Sequence, residues 1–385
     1  MGPPPLALVE TAPTETTLNS PDIPDAHEVW LAMIRSATTS LDIAQFYVAD
    51  TAGSRLSPVL AAVEAAAKRG VRVRILAEKI FYGQYPESLD HLGGIEGVTV
   101  RVWDAQASLG GILHAKYFLV DGKDAYLGSQ NFDWRALEHV LELGSRVRQP
   151  VLVAALGDVF AVDWALAGGA DMASALASHG STKPTFPIEF QLMGDTAAVT
   201  PVASPKEALP ASTPWDLPRL VALIDHATRT VRVQLLSYHL LARDGVTPFP
   251  DLDDALRRAA KRGVTVELML GNWSQGGKDH AALTALQEIS GITVKFVTIP
   301  EAKAGFIPFG RVIHAKLLVV DGAVAWLGTS NWGWDYFHMS RNVGLIVEST
   351  PWASRLDAFF LNVWDSDYAE TLVPGRVYPK VRVAK

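Results

Sequence analysis

The chain alternates short runs of strand formers with longer helical stretches, and it does so twice. "AAAKRGVRVRIL" (65–76) and "RAAKRGVTVELM" (258–269) both read as a helix stopped at Gly and followed by a β-branched strand. "GVTVRVW" (97–103) and "GITVKFV" (291–297) predict a further strand in each half. "YFLV" (117–120) and "LLVV" (317–320) are too short for helices; each leads into a "DG" turn and a second strand, "AYLG" or "AWLG". Long apolar helical stretches then end in Trp164 and Trp364. "ALVETAPTE" (7–15) and "AAVTPVASPKE" (197–207) each predict an opening strand and a Pro-marked loop. The pattern implies an α/β fold made of two duplicated lobes, with mixed sheets flanked by helices and a pseudo-two-fold axis between them. The boundary is placed in "HGSTKPTFPIEF" (179–190), giving lobes 1–185 and 186–385.

Composition narrows the function classes. The 385 residues are 49% hydrophobic and 19% charged, enough apolar material for large cores in more than one domain. A net charge of −7 argues against an extended duplex nucleic-acid surface but leaves room for a small cationic pocket. With no cysteine, disulfides, thiolate metal sites and a cysteine nucleophile are excluded. The most apolar run, "VLVAALGDVFAVDWALAGGA", is interrupted by Asp158 and Asp163 and predicts a core helix rather than a membrane anchor. "MGPPPLALVE" predicts no signal peptide; the composition suits the cytoplasm and an exported chain freed of its signal equally.

The repeat also carries polar residues at fixed offsets. "HAKYFLVDGKDAYLGSQN" holds His114, Lys116, Asp121, Gly128, Ser129 and Asn131; "HAKLLVVDGAVAWLGTSN" holds His314, Lys316, Asp321, Gly328, Thr329 and Asn331. The histidines stand 200 positions apart (314 − 114). In "HAK" the period of two puts His and Lys on one face of the strand. Two such sets around a phosphate diester supply what phosphoryl transfer needs. Lys116, Lys316, Asn131 and Asn331 can donate to the non-bridging oxygens, one imidazole can attack phosphorus, and the other can protonate the leaving oxygen. With two ammonium groups holding the charge, no metal or other cofactor is expected.

These motifs resemble those of the phospholipase D superfamily, whose signature is H-x-K-x4-D followed by G-[ST]-x-N, in two copies. More narrowly, "LVETAPTE", "SLDIAQFY", "AYLGSQNFDWRAL", "LELG", "IPFGRVIHAK", "LGTSNW" and "VWDSDY" are similar to the group containing the mammalian lysosomal phospholipase D-like 5′-exonucleases. The resemblance implies two phospholipase D-like lobes with the active site at their interface, and a phosphohistidine intermediate. Its implied catalytic pair is His114 and His314, with the two lysines and two asparagines as phosphate ligands. Asp121 and Asp321 are expected to cap turns. Glu142 follows His114 by the same 28 positions that separate Asn342 from His314. In this superfamily a carboxylate there often hydrogen-bonds the active histidine, so Glu142 is expected behind His114, making His114 the nucleophile and His314 the general acid.

Ser129, Thr329, Tyr47, Trp332 and Phe309 are the candidate substrate contacts, with Trp134 and Phe306 as further aromatic candidates. The loops "IFYGQYPES" (80–88) and "AKAGFIPFGRV" (303–312) have the Gly, Pro and aromatic content of substrate loops. The implied substrate is either single-stranded nucleic acid, cleaved from its 5′ end, or a glycerophospholipid, with release of phosphohistidine by water or an alcohol. One lobe pair completes a site, so a monomer suffices and a homodimer is compatible with activity.

Overall fold

The computed structural model describes residues 2–177 and 184–384. Residues 178–183, which overlap the stretch where the sequence places the link between lobes, lie outside the described residues. Two sheets share one strand order. The first runs Leu6–Thr11, Val140–Val147, Asp124–Gly128, Tyr117–Val120, Ser40–Gln45, Arg72–Glu78, Val98–Trp103. The second runs Asp195–Ser204, Asn342–Glu348, Val324–Gly328, Lys316–Val320, Thr230–Leu235, Thr265–Gly271, Ile292–Val297, with Ile188–Leu192 and Ala369–Thr371 added at its edges. In both, parallel and antiparallel pairs mix.

Local chemistry repeats with the fold. Helices Ser57–Lys68 and Asp251–Lys261 stop at Gly70 and Gly263, whose φ values of 90° and 88° suit glycine. Val71 N–H reaches back to the Ala66 carbonyl and Val264 N–H to that of Ala259, closing the same C-terminal motif in each copy. Asp121–Gly122 and Asp321–Gly322 all have positive φ and form the tight turn expected of "DG", with Lys123 N–H donating to the Val120 carbonyl and Ala323 N–H to that of Val320. The Asp121 carboxylate accepts the N–H groups of Thr38, Thr39 and Ser40; Asp321 accepts those of Thr228, Arg229 and Thr230. Both aspartates therefore tie a turn to a strand start and take no part in the cleft.

Each lobe has an outer core beneath its helices, around Trp30, Val63 and Phe118 in one and Leu220, Leu256 and Leu318 in the other. A third core draws on both halves, joining Leu119, Leu127 and Phe160 to Val199, Leu317, Leu327 and Phe360. Helix Pro150–Ala167 is long and apolar enough to cross a membrane by composition, yet half of it is packed inside the protein. Its Asp163 is fully buried and binds the equally buried Arg341 of the other half, whose guanidinium also donates to the Ser204 and Ala208 carbonyls at 2.7 Å. Breaking a buried pair of this kind costs about 3–5 kcal/mol, so the helix is anchored where it lies.

The lobes also exchange backbone. Val312–Ile313, just before the second motif, adds to the first sheet beside Val140–Leu141. Reciprocally, Leu113 bridges to Arg341. His314 N–H donates to the Leu141 carbonyl at 2.8 Å and His114 N–H to the Arg341 carbonyl at 3.0 Å. Each motif histidine is thus placed by the opposite half.

Candidate active site

This exchange decides which side chains meet. Glu142 follows Leu141, so the strand that receives His314 presents the carboxylate to that ring: both Glu142 oxygens lie 2.9 Å from His314 Nδ1. Asn342 follows Arg341 and presents its amide to the other ring, with Oδ1 2.9 Å from His114 Nδ1. The expectation that Glu142 backs His114 is corrected. Matching offsets along one copy cannot see a partner strand supplied by the other, and the role assignment built on that pairing loses its premise.

Hydrogen bonding fixes both imidazole tautomers. Asn342 Oδ1 also accepts from the Thr329 hydroxyl at 2.9 Å, while its Nδ2 donates to the Tyr336 carbonyl at 2.8 Å. The amide oxygen therefore faces His114, which must donate from Nδ1 and carry its lone pair on Nε2. The Glu142 carboxylate imposes the same tautomer on His314. Both histidines line one cavity of about 380 Å³.

The lysines are fully buried, and each Nζ donates to its own motif's histidine carbonyl, Lys116 to His114 and Lys316 to His314. Burial pushes Lys316 down to about 7 and Lys116 well below the usual ammonium range, with the Lys316 charge lowering Lys116 further and Glu142 opposing both shifts. Burial pushes the Glu142 carboxyl up to about 7, with the lysines working against the shift. Burial, and then the two lysines, hold both imidazoles well below the ordinary histidine value. A bound phosphate anion would offset the lysine repulsion and favour protonating one ring.

Asn131 and Asn331 line the cavity, and their Nδ2 atoms donate to tyrosine hydroxyls, Tyr47 at 3.4 Å and Tyr336 at 3.2 Å. Those tyrosines come from unmatched places in the two copies, so the repeat gave no signal for Tyr336. Tyr47 lines the cavity and donates to Asp133 at 2.7 Å. Its ring stacks with Phe81 and Tyr85, at centroid distances of 5.5 and 5.3 Å. Phe309 stands at the mouth, 45% exposed, beside Trp273. Both predicted substrate loops reach the cavity, through Ile80, Phe81, Gln84 and Tyr85 and through Phe309 and Val312. Arg135, missed in the sequence, forms a buried ion pair with Asp133 and lies 5.7 Å from the Tyr85 ring and 6.0 Å from that of Phe309. Its signal was available in "NFDWR", where the first copy departs from "NWGWD".

Three candidates are corrected. Trp332 is buried in the second lobe's outer core against Tyr238, as Phe132 is buried against Trp30 in the first. An aromatic directly after the motif Asn points away from the cleft because side chains alternate there. Ser129 exchanges hydroxyl bonds with the Leu143 backbone and also supports the Glu142 carboxyl, and Thr329 spends its hydroxyl on Asn342 and Val343. These hydroxyls hold the strands bearing Glu142 and Asn342 and do not line the cavity. Among the other aromatics, Trp134 packs on His139 and Phe306 on Arg382, outside the cavity.

Comparison with known proteins agrees with this geometry. The family model for the cardiolipin synthase, phospholipase D-like domain matches residues 30–164 and 220–364. The 5′-3′ exonuclease PLD3 of Homo sapiens is 33% identical over 384 residues, covering 91% of this chain and 76% of that protein. Phospholipase D Z of Dictyostelium discoideum is 30% identical, covering 89% and 85%, and the virion nicking-joining enzyme of Vaccinia virus (strain Western Reserve) is 30% identical, covering 93% and 87%. The crystal structure of phosphatidylserine synthase from Haemophilus influenzae Rd KW20 shares the fold, with a TM-score of 0.61 at 11% identity over 90% of this chain and 85% of that one. Two intact motifs meeting at one cavity, each half matched by the same domain model, establish that the chain belongs to the phospholipase D superfamily and is a phosphodiester-cleaving hydrolase.

Proposed function

We propose that the chain is a single-stranded nucleic-acid 5′-exonuclease working through a phosphohistidine, with His314 as nucleophile and His114 as general acid. The carrying observation is the stacked aromatic wall of Tyr47, Phe81 and Tyr85 beside the two-histidine cavity. Flat rings beside a phosphate site suit unpaired bases, each stack contributing about 1–3 kcal/mol. The 5′-3′ exonuclease name of the relatives supports the same reading.

The role assignment follows from what stands behind each ring. Attack by His314 Nε2 on phosphorus leaves the ring cationic while its Nδ1–H stays on Glu142, an anion placed to stabilise that charge. His114 has only a neutral amide behind it and releases its proton more readily. In the first step the P–N bond forms as the bond from phosphorus to the leaving oxygen breaks, and His114 Nε2–H gives that oxygen its proton. In the second, His114 Nε2 takes a proton from water, the hydroxyl oxygen attacks phosphorus, and the P–N bond breaks, freeing His314 and a phosphate monoester. Lys116, Lys316, Asn131 and Asn331 hold the non-bridging oxygens in both steps.

Incubation with end-labelled oligonucleotides in EDTA tests the reading; stepwise loss of 5′ nucleotides is expected, and no cleavage from pH 4 to 8 would defeat it. One observation favours a phospholipid diesterase or transphosphatidylase instead: Ile80 and Phe309, each 45% exposed, give the mouth an apolar rim suited to acyl chains. Release of free choline from phosphatidylcholine, or a phosphatidyl alcohol when ethanol is added, would mark that activity.

A further inference from the structure

Beside the cavity, on the second lobe, lies a smaller one of about 130 Å³, and Ile112, Arg243 and Tyr336 line both. Its remaining walls include His239, Leu241, Lys278 and Asp335. Near the scissile phosphate, Arg135 is paired with Asp133, and Lys116 and Lys316 serve the phosphate held between the two histidines. Among the described residues, neither the Arg243 guanidinium nor the Lys278 ammonium has an ion-pair partner. The nearby carboxylates bond to other groups: Asp335 accepts the Arg243 backbone N–H at 2.7 Å, Asp279 lies 2.6 Å from His239 Nδ1, and Asp244 accepts from Val246 and Thr247.

Arg243 sits on a built loop. Ala242 N–H donates to the Thr247 carbonyl, Phe249 N–H to that of Leu240, and Asp244 caps the turn through Val246 and Thr247. With Asp335 holding its backbone, the residue is presented to the junction of the two cavities.

From this we infer that Arg243 and Lys278 bind the backbone phosphate next to the scissile one, so that the strand leaves the site along the second lobe while bases stack on the first. The inference rests on the nuclease reading. It makes the minimal good substrate a strand with two phosphates, one cleaved and one held.

The test compares d(TpT), which has only the scissile phosphate, with d(TpTpT), which has one more, and uses bis(p-nitrophenyl) phosphate to report the diester chemistry alone. The intact protein should prefer d(TpTpT) in kcat/KM by about tenfold, as one charge-assisted phosphate contact allows. The Arg243→Gln, Lys278→Gln double variant should lose that preference, and its kcat/KM on longer strands should fall less steeply with salt, by about 0.7 in log–log slope per lost phosphate contact. Arg243→Lys, which keeps the charge, should retain most of the preference. A double variant that keeps the full preference, or loses d(TpTpT) and bis(p-nitrophenyl) phosphate activity in equal measure, overturns the assignment. An intact protein that cleaves bis(p-nitrophenyl) phosphate but neither oligonucleotide overturns the nuclease reading itself, and the subsite with it.

Discussion

The two halves of the cleft are near copies in backbone and unlike in charge. Behind His314 stands the carboxylate of Glu142; behind His114 stands the amide of Asn342, each delivered by the opposite lobe. Both acceptors fix the same tautomer, so orientation alone does not explain the difference. What differs is the ability to stabilise a ring that becomes and stays positive. The duplicated lobes make the site by crossing, and in the proposed mechanism the Glu142–Asn342 difference at the crossing gives the two histidines different work.

The comparison can be broken at several points. Removing either ring, by His114→Ala or His314→Ala, should lower turnover by at least about 10⁴-fold with the thermal midpoint little changed, because the two rings serve one site. A variant retaining substantial turnover would mean two half-sites acting separately. Glu142→Gln keeps shape and hydrogen bonding but removes the charge, and kcat should fall by about 10²- to 10⁴-fold. Asn342→Ala removes a neutral acceptor from behind His114, together with its bonds to Thr329 and Tyr336, and about tenfold is expected. Equal losses in steady-state kinetics would erase the asymmetry.

The pH profile gives a smaller and finer effect. Burial and the lysines hold both rings well below the usual histidine range, so the nucleophile stays neutral into acid solution while the acid must be protonated. Activity should rise as pH falls from 8 and decline again on the acidic side of 6.5, a bell whose acid limb reports the nucleophile. Burial raises the Glu142 carboxyl to about 7, so the proton taken up on the acid limb is shared by the His314–Glu142 pair, and in Glu142→Gln, which removes the carboxyl, that limb should move to lower pH. Movement of the alkaline limb alone would place the carboxylate on the acid's side.

Much of this was legible in the sequence because it is local. The Gly stops at Gly70 and Gly263, the "DG" turns and the paired motifs depend on residues close together in the chain, and the structure reproduces them. What was lost depends on the partner lobe. No offset within one copy reveals that Leu141 receives His314, so Glu142 was assigned to the nearer histidine in sequence. Trp332 failed differently: an aromatic beside a catalytic Asn looks like a substrate contact until strand alternation turns it into the core. Ser129 and Thr329 followed the motif, yet their hydroxyls are spent on the strands that carry Glu142 and Asn342. Tyr336 and Arg135 lie where the copies diverge, and alignment of the repeat discards such positions.

The crossed arrangement is tested most directly by trapping the covalent intermediate. Brief reaction with a radiolabelled phosphodiester, quenching in base to preserve phosphohistidine, and peptide mapping should place the label on the peptide containing His314. Label on the peptide containing His114 would contradict the account, because the phosphorylated ring would then be the one backed by Asn342 rather than by the Glu142 carboxylate.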